Sequence, residues 1–263
     1  GQALFDVGSP RLVAAAVGQF DAFLAGSKNS DVFGAGVKLV NPWSYLLLVE
    51  GAMVFASGAN RRLTGGNTRA SMPFTVNSSG EGTGSVVASE NRRGEIWAPL
   101  WDQPMDAFEV RQLFREGRAR WDGRAALSGS DMYGAVRSLG VHHSIHRFVR
   151  FGILERNGTN HTASVLDRVD VRARPEVALV GPLSRRLDRI RSGAGSWDGA
   201  LRAAKRTLVD FLRDPSPDDL VDLLATVTDL NVTLGRSAPE DVAPVSVYQP
   251  GLVDHLVASV GTP

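Results

Sequence analysis

The segment SDMYGAVRSLGVHHSIHRFVRFGILERNGTNHTASVLDRVDV, residues 130–171, decides how the chain is read. Apolar positions at helical spacing, closed by Gly140, predict a helix over Ser130–Leu139. After a short turn, His142–Phe151 fits a second helix, with His142 and His146 four residues apart on one face. Ile153–Arg156 and Thr162–Val171 read as two strands around the turn signal Asn157-Gly158. Helix, turn, helix and a two-stranded wing is the order of a winged helix, whose basic helix and wing lie on nucleic acid. The same pattern also fits a hairpin that packs beside helices.

Upstream, Ser9-Pro10 opens a predicted helix that runs to Gly26. Asn41-Pro42 opens another, Trp43 to about Arg62, whose nearly continuous apolar body demands burial. Arg61-Arg62 closes it, where cations favour a helix C-terminus. Glu50 in its middle is expected to make a buried pair with an arginine. Phe74–Val76 and Glu95–Trp97 read as short strands. They flank Asn77–Arg93, a polar, glycine-rich loop of a length usually retained for contact. Pro104–Arg120 reads as an amphipathic helix with Phe108, Val110, Leu113 and Phe114 inward and Arg111, Arg115 and Arg118 outward. Beyond Pro175 the candidates are all helices: Pro182–Arg191, Trp197–Arg213, Pro217–Leu234 and Leu252–Val260. Asp218, Asp219 and Asp222 stand where carboxylates complement a helix start.

The fold class that follows is α+β, mainly α-helical. A mixed region, residues 1–175, carries short strands and the winged-helix-like hairpin, and a helical bundle, residues 176–263, follows it. Both ends read as cut, so the chain is expected to be a fragment of a longer protein. Its longest apolar run, Tyr45–Ala56, is far short of the roughly 20 residues a membrane span needs, so a cytoplasmic location without membrane contact is expected.

With 43% hydrophobic and 22% charged residues the composition is that of a folded domain. The absence of cysteine excludes disulfide frameworks and thiolate chemistry. A net charge of +1 conceals a strong asymmetry. Residues 92–206 hold 21 bases against 13 acids, whereas residues 207–263 hold two bases against nine acids. Only three of the 29 bases are lysine. Codon bias explains part of that preference. Arginine also suits bidentate phosphate contacts, and the clustering points to nucleic acid. The candidate contacts are Arg61, Arg62, Arg69, Asn77, Arg92, Arg93, Arg111, Arg115, Arg118, Arg120, Arg124, Arg147, Arg150 and Arg156.

No Walker motif, nucleophile elbow or zinc spacing occurs, and Gly80–Gly84 lacks the Lys-Ser/Thr that completes a phosphate loop. The expectation is a non-catalytic chain without cofactor. One alternative is a metal-dependent hydrolase built on His142, His143 and His146. Another is a structural subunit that touches protein alone.

Four blocks carry a family resemblance. They are Asn41-Pro42-Trp43-Ser44-Tyr45 running on to Arg61-Arg62-Leu63; Pro73-Phe74-Thr75-Val76; Glu95-Ile96-Trp97-Ala98-Pro99-Leu100-Trp101; and Arg137–Val141 followed by Phe148–Gly158. In that order the chain resembles the large subunit of the type I-G (formerly I-U) CRISPR Cascade interference complex. The resemblance implies a non-catalytic subunit of an antiviral surveillance complex. Such a subunit contacts guide RNA and target DNA, senses the short motif flanking the target, and helps recruit a helicase-nuclease. Its implied partners include the backbone and small subunits of the complex. Sequence is then read by base pairing, and the protein reads backbone and flanking motif.

Overall fold

The structure is a computed structural model that describes residues 13–14, 39–40, 42–57, 60–64, 67–77, 92–116, 119–156, 160–190, 196–237, 244–246 and 251. These form six helices and ten strands in an α+β, mainly helical arrangement. The predicted helices Leu252–Val260 and most of Ser9–Gly26, and the loop residues 78–91, lie outside the described residues.

The centre is a four-stranded antiparallel sheet in the order β10-β9-β6-β5, built from β5 (Thr75–Val76), β6 (Arg92–Trp101), β9 (Ile145–Arg156) and β10 (Asn160–Asp170). The predicted hairpin is therefore present but much longer than expected, and the predicted helix His142–Phe151 is absent. Phe148, Arg150 and Gly152 are buried on one face of β9 and Val149 on the other, the two-sided arrangement of an extended strand with a covered face on each side. β9 also lies between β6 and β10, so both of its edges are paired. No winged helix is formed here. Phe74 enters this sheet through a turn closed by Thr75 N–H donating to the Met72 carbonyl. Its φ of 48° is unusual for an aromatic residue. Its ring is held between Phe114 and Phe148, with centroids 6.3 and 5.4 Å away.

Three further two-stranded ribbons decorate the chain. β1 (Val13–Ala14) pairs with β2 (Leu39–Val40), so Val13 and Ala14 are strand where a helix was predicted. β3 (Asn60–Thr64) pairs with β4 (Asn67–Ser71), and β7 (Arg120–Trp121) pairs with β8 (Arg124–Ala125). The first long helix, α1 (Pro42–Ser57), begins at the predicted Asn41-Pro42 but stops before Arg61-Arg62, which belong to β3. Its expected burial is not found: Leu46, Leu47 and Met53 are 57%, 55% and 63% exposed, and Glu50 is exposed too.

α2 (Ala107–Glu116) is shorter than predicted. Asp106 caps it by accepting from the Phe108 and Glu109 amides at 2.8 Å, while Glu109 accepts from the Asp106 amide. Leu113 is buried as expected, but Phe108 is 64% exposed rather than inward. α3 (Gly129–Arg137) carries a reciprocal capping box between Ser128 and Asp131. Its C-terminus ends as predicted, by an unpredicted device. Leu139 takes the left-handed conformation, φ 55°, and the Gly140 amide bonds back to the Ala135 carbonyl. Gly140 is glycine for another reason: a Cβ there would strike the carbonyl of Arg120, the first residue of β7.

α4 (Val177–Arg189), α5 (Asp198–Arg213) and α6 (Pro217–Ser237) complete the core. α4 starts five residues before the predicted Pro182, which lies inside it. Ser216 caps α6 through the Asp219 amide, with Asp218 and Asp219 in the first turn as predicted. The last strand ends at Asp170 and every described element beyond Val177 is helical, yet the buried side chains form one continuous cluster from Phe74 to Val245. Arg137 ties the two regions together by donating to the carbonyls of Asp170 and Arg213. Across α6, the Asn231 amide donates to the Val245 carbonyl and accepts from its N–H, both at 2.7 Å.

Gly140→Ala is expected to lower the urea midpoint by the equivalent of about 2–3 kcal/mol, because the colliding atoms are backbone and have little room to yield. Leu139→Gly, one residue away, relieves the positive φ and is expected to keep the midpoint at or above that of the parent.

Candidate nucleic-acid interface and a buried charge network

The fourteen candidate contacts are spread over several elements. Arg111 and Arg115 on α2, and Arg120 and Arg124 on the β7–β8 hairpin, are exposed in consecutive elements. Arg147 is half-exposed and paired with Asp170 at 2.5 Å. That contact lifts the Arg147 guanidinium above its usual value and holds the Asp170 carboxyl below the usual range, the hydrogen bond between them being the main cause. Arg62 and Arg69 occupy directly paired positions of β3 and β4, with Arg61 opposite Ala70. Arg92, Arg93 and Arg156 lie at strand ends, and Arg118 lies outside the described residues. Asn77 is tied down by its main chain, whose N–H donates to the Leu127 carbonyl at 2.9 Å.

Arg150 departs from the expectation. It is 5% exposed, and its guanidinium is engaged inside the protein. Nε and Nη2 donate to the two Glu95 carboxylate oxygens at 2.8 and 2.6 Å, a bidentate pair. Nη1 donates to the Tyr133 hydroxyl at 3.2 Å, and that hydroxyl donates to Asp167 at 2.6 Å. Trp97 Nε1 adds a third bond to Glu95 at 3.2 Å.

The sheet register explains this assembly. Arg150 stands opposite Trp97 on one side and Asp167 on the other, and Glu95 is opposite Gly152. All of them therefore share the face that α3 covers. The guanidinium lies 5.6 Å from the Trp97 ring centre and 5.3 Å from that of Tyr133. Gly129 completes the fit, since a Cβ there would come within 2.6 Å of Glu95 Oε2. Burial raises the Tyr133 phenol well above its ordinary value. Burial also opposes the Arg150 charge, but the hydrogen bonds and charge of Glu95 outweigh it and hold the guanidinium above its usual value.

A buried arginine–glutamate pair was expected, but for Glu50 instead of Glu95. Two features of the sequence mark the true pair: Glu95 stands two residues from Trp97, and Arg150 interrupts Phe148-Val149-Arg150-Phe151, a run whose other members are apolar.

The histidines do not form the helical pair that the hydrolase alternative required. His142 and His143 stack at 4.4 Å in the turn before β9, and the His142 Nδ1 contacts the Ser144 hydroxyl at 2.7 Å. His146 lies within β9. Among the described residues no three His, Cys, Asp or Glu side chains are grouped to hold a metal. Among them, too, no helix is long and apolar enough to cross a membrane. No protein-family model and no curated protein matches the chain.

Glu95→Gln leaves a buried guanidinium without its counter-charge, and is expected to cost about 3–5 kcal/mol in urea unfolding. Glu95→Gln combined with Arg150→Met is expected to recover part of that loss, giving a coupling energy of opposite sign to the single losses. Tyr133 supplies a test at alkaline pH. Its folded value is raised, so its contribution to stability is complete below the unfolded value of about 10 and is lost as pH rises above it. In absorbance at 295 nm one of the three tyrosines is expected to ionise only with unfolding. Tyr133→Phe should abolish that late step.

Proposed function

We propose that this chain is a non-catalytic, nucleic-acid-contacting subunit of a guide-RNA-directed antiviral complex, corresponding to the large subunit of a type I-G Cascade. The observation that carries the reading is the exposed arginine series Arg111, Arg115, Arg120 and Arg124, presented by α2 and the adjoining hairpin. Arginines in such a series hold phosphates bidentately and supply affinity without reading sequence, which suits a subunit whose guide does the reading. The resemblance carried by the four motif blocks supports the choice of family.

The exposed apolar helix α1 supports membership of an assembly. Trp43, Leu46, Leu47, Leu48, Val49 and Met53 are all between 42% and 63% exposed on that one helix. A patch of that kind is a feature of protein–protein contact surfaces. The subunit would act in the cytoplasm beside the backbone and small subunits, sense the flanking motif, and present the target to a helicase-nuclease.

The test is isolation of the tagged protein from its own cells under native conditions. A particle far larger than the 28.2 kDa chain is expected, containing RNA of uniform length with a repeat-derived end. It should bind duplex DNA in a manner that depends on the flanking motif, and the purified chain should cleave neither DNA nor ATP with any divalent metal. Recovery of the protein free of RNA, or metal-dependent cleavage abolished by changing His142 and His146 to alanine, would overturn the reading.

A further inference from the structure

The basic surface does not end with the residues the sequence marked. The tip of the β7–β8 hairpin is docked on α4. Asp122 and Gly123 both take positive φ, 51° and 77°, the geometry of a tight two-residue hairpin turn. Asp122 forms an ion pair with Arg185 of α4. It also sits over Gly181, where a Cβ would come within 3.1 Å of its carboxylate. The turn therefore fixes Arg124, the next residue, beside α4.

α5 meets the same place. Asp188 of α4 lies within electrostatic reach of Arg124 from the hairpin and Lys205 from α5. Partial desolvation and the nearby Asp131 push its carboxyl up, while Lys205 and Arg124 draw it down. α4 packs against α5 as well as against the hairpin, so three elements meet here, each contributing a cation. Arg189 stands one turn beyond Arg185 on α4, and Arg202 and Arg206 flank Lys205 on α5. Neither Arg124, Arg189 nor Lys205 makes an ion pair with another described residue. None of the large exposed hydrophobic side chains lies on α4 or α5. A lipid surface or a protein hot spot would call for such side chains. Rigid, arginine-rich and without exposed large apolar groups, the surface has the chemistry of a phosphate track.

We infer that the β7–β8 hairpin, α4 and α5 form a second nucleic-acid surface, on which Arg124, Arg189 and Lys205 hold the sugar-phosphate backbone and Asp188 moderates its affinity. This rests on the nucleic-acid reading above and extends it into the helical region, where the sequence marked no contact.

The experiment follows the whole chain by fluorescence anisotropy, with a labelled random-sequence DNA duplex and a labelled single-stranded RNA, across a salt series. The variant Arg124→Glu/Arg189→Glu/Lys205→Glu is expected to bind at least one of the two tenfold more weakly or worse at low salt. The slope of log affinity against log salt should fall by about two to three, near one for each phosphate that is no longer neutralised. Asp188→Asn is expected to bind several-fold more tightly, an effect that a purely structural role would not produce. The probe that responds identifies the strand held.

Parental affinity and slope in both variants, with circular dichroism and melting unchanged, would overturn the inference. A control, Arg111→Glu/Arg115→Glu, separates this failure from that of the broader reading. If the control weakens binding and the hairpin–helix variants do not, the broader reading stands and this surface falls. If the parent chain binds neither probe, both fall. Should the triple variant not fold, Asp188→Asn and Arg189→Gln decide the matter, since both positions are exposed.

Discussion

The bidentate contact between Glu95 and Arg150 is the constraint on which the rest of the sheet depends. Two opposite charges at 0% and 6% side-chain exposure have given up their water, and their mutual geometry is the main compensation, with Trp97 and Tyr133 adding to it. That geometry requires β6 and β9 in one register: a shift by one residue would turn Glu95 and Arg150 to opposite faces. The pair thus works as a register key as well as a contact. Gly129 belongs to the same constraint, because only a residue without a side chain lets the start of α3 come down on the carboxylate.

Outward from that pair runs a chain of aromatic contacts. Tyr133 meets Trp97 edge-on at 4.9 Å, Trp97 meets Phe148 at 6.2 Å, Phe148 meets Phe74, Phe74 meets Phe114, and Phe114 meets Phe55 of α1 at 5.8 Å. α1 is therefore joined to the core at its C-terminal end, while the side chains near its start remain in solvent. Edge-to-face ring pairs have preferred angles, so this series orients the helix as well as holding it. The left-handed Phe74 sits in the middle of the series, where burial of its ring offsets the backbone cost.

Much of this was legible in the sequence. The α+β class, the helix starts at Pro42 and Pro217, the hairpin turn at Asn157-Gly158, and the end of α3 near Gly140 all follow from local signals. The misreadings share one physical source: tertiary context outweighed local periodicity. His142–Phe151 offers an i, i+4 histidine pair and basic residues, which look helical, yet its extended state follows from pairing with β6 and β10 on either side. Apolar α1 was expected inside because hydropathy reports a preference for burial, not the availability of something to bury against. Arg150 was assigned to the surface because charge alone does not reveal a partner 55 residues earlier in the chain. The convergence of Arg124, Arg189 and Lys205 was illegible for the same reason, since three sequence-distant elements create it.

The clamp between Asn231 and Val245 carries a consequence for how this chain can vary. The amide grips main-chain groups, which every residue other than proline offers alike, so the contact is indifferent to what hangs on either side. Pro244 and Ser246 are exposed, whereas Val245 is 2% exposed. The Val245 side chain and its main-chain contact with Asn231 both hold the segment. Residue 245 can therefore be any apolar side chain of fitting size except proline, while the asparagine 14 positions earlier has to keep its amide.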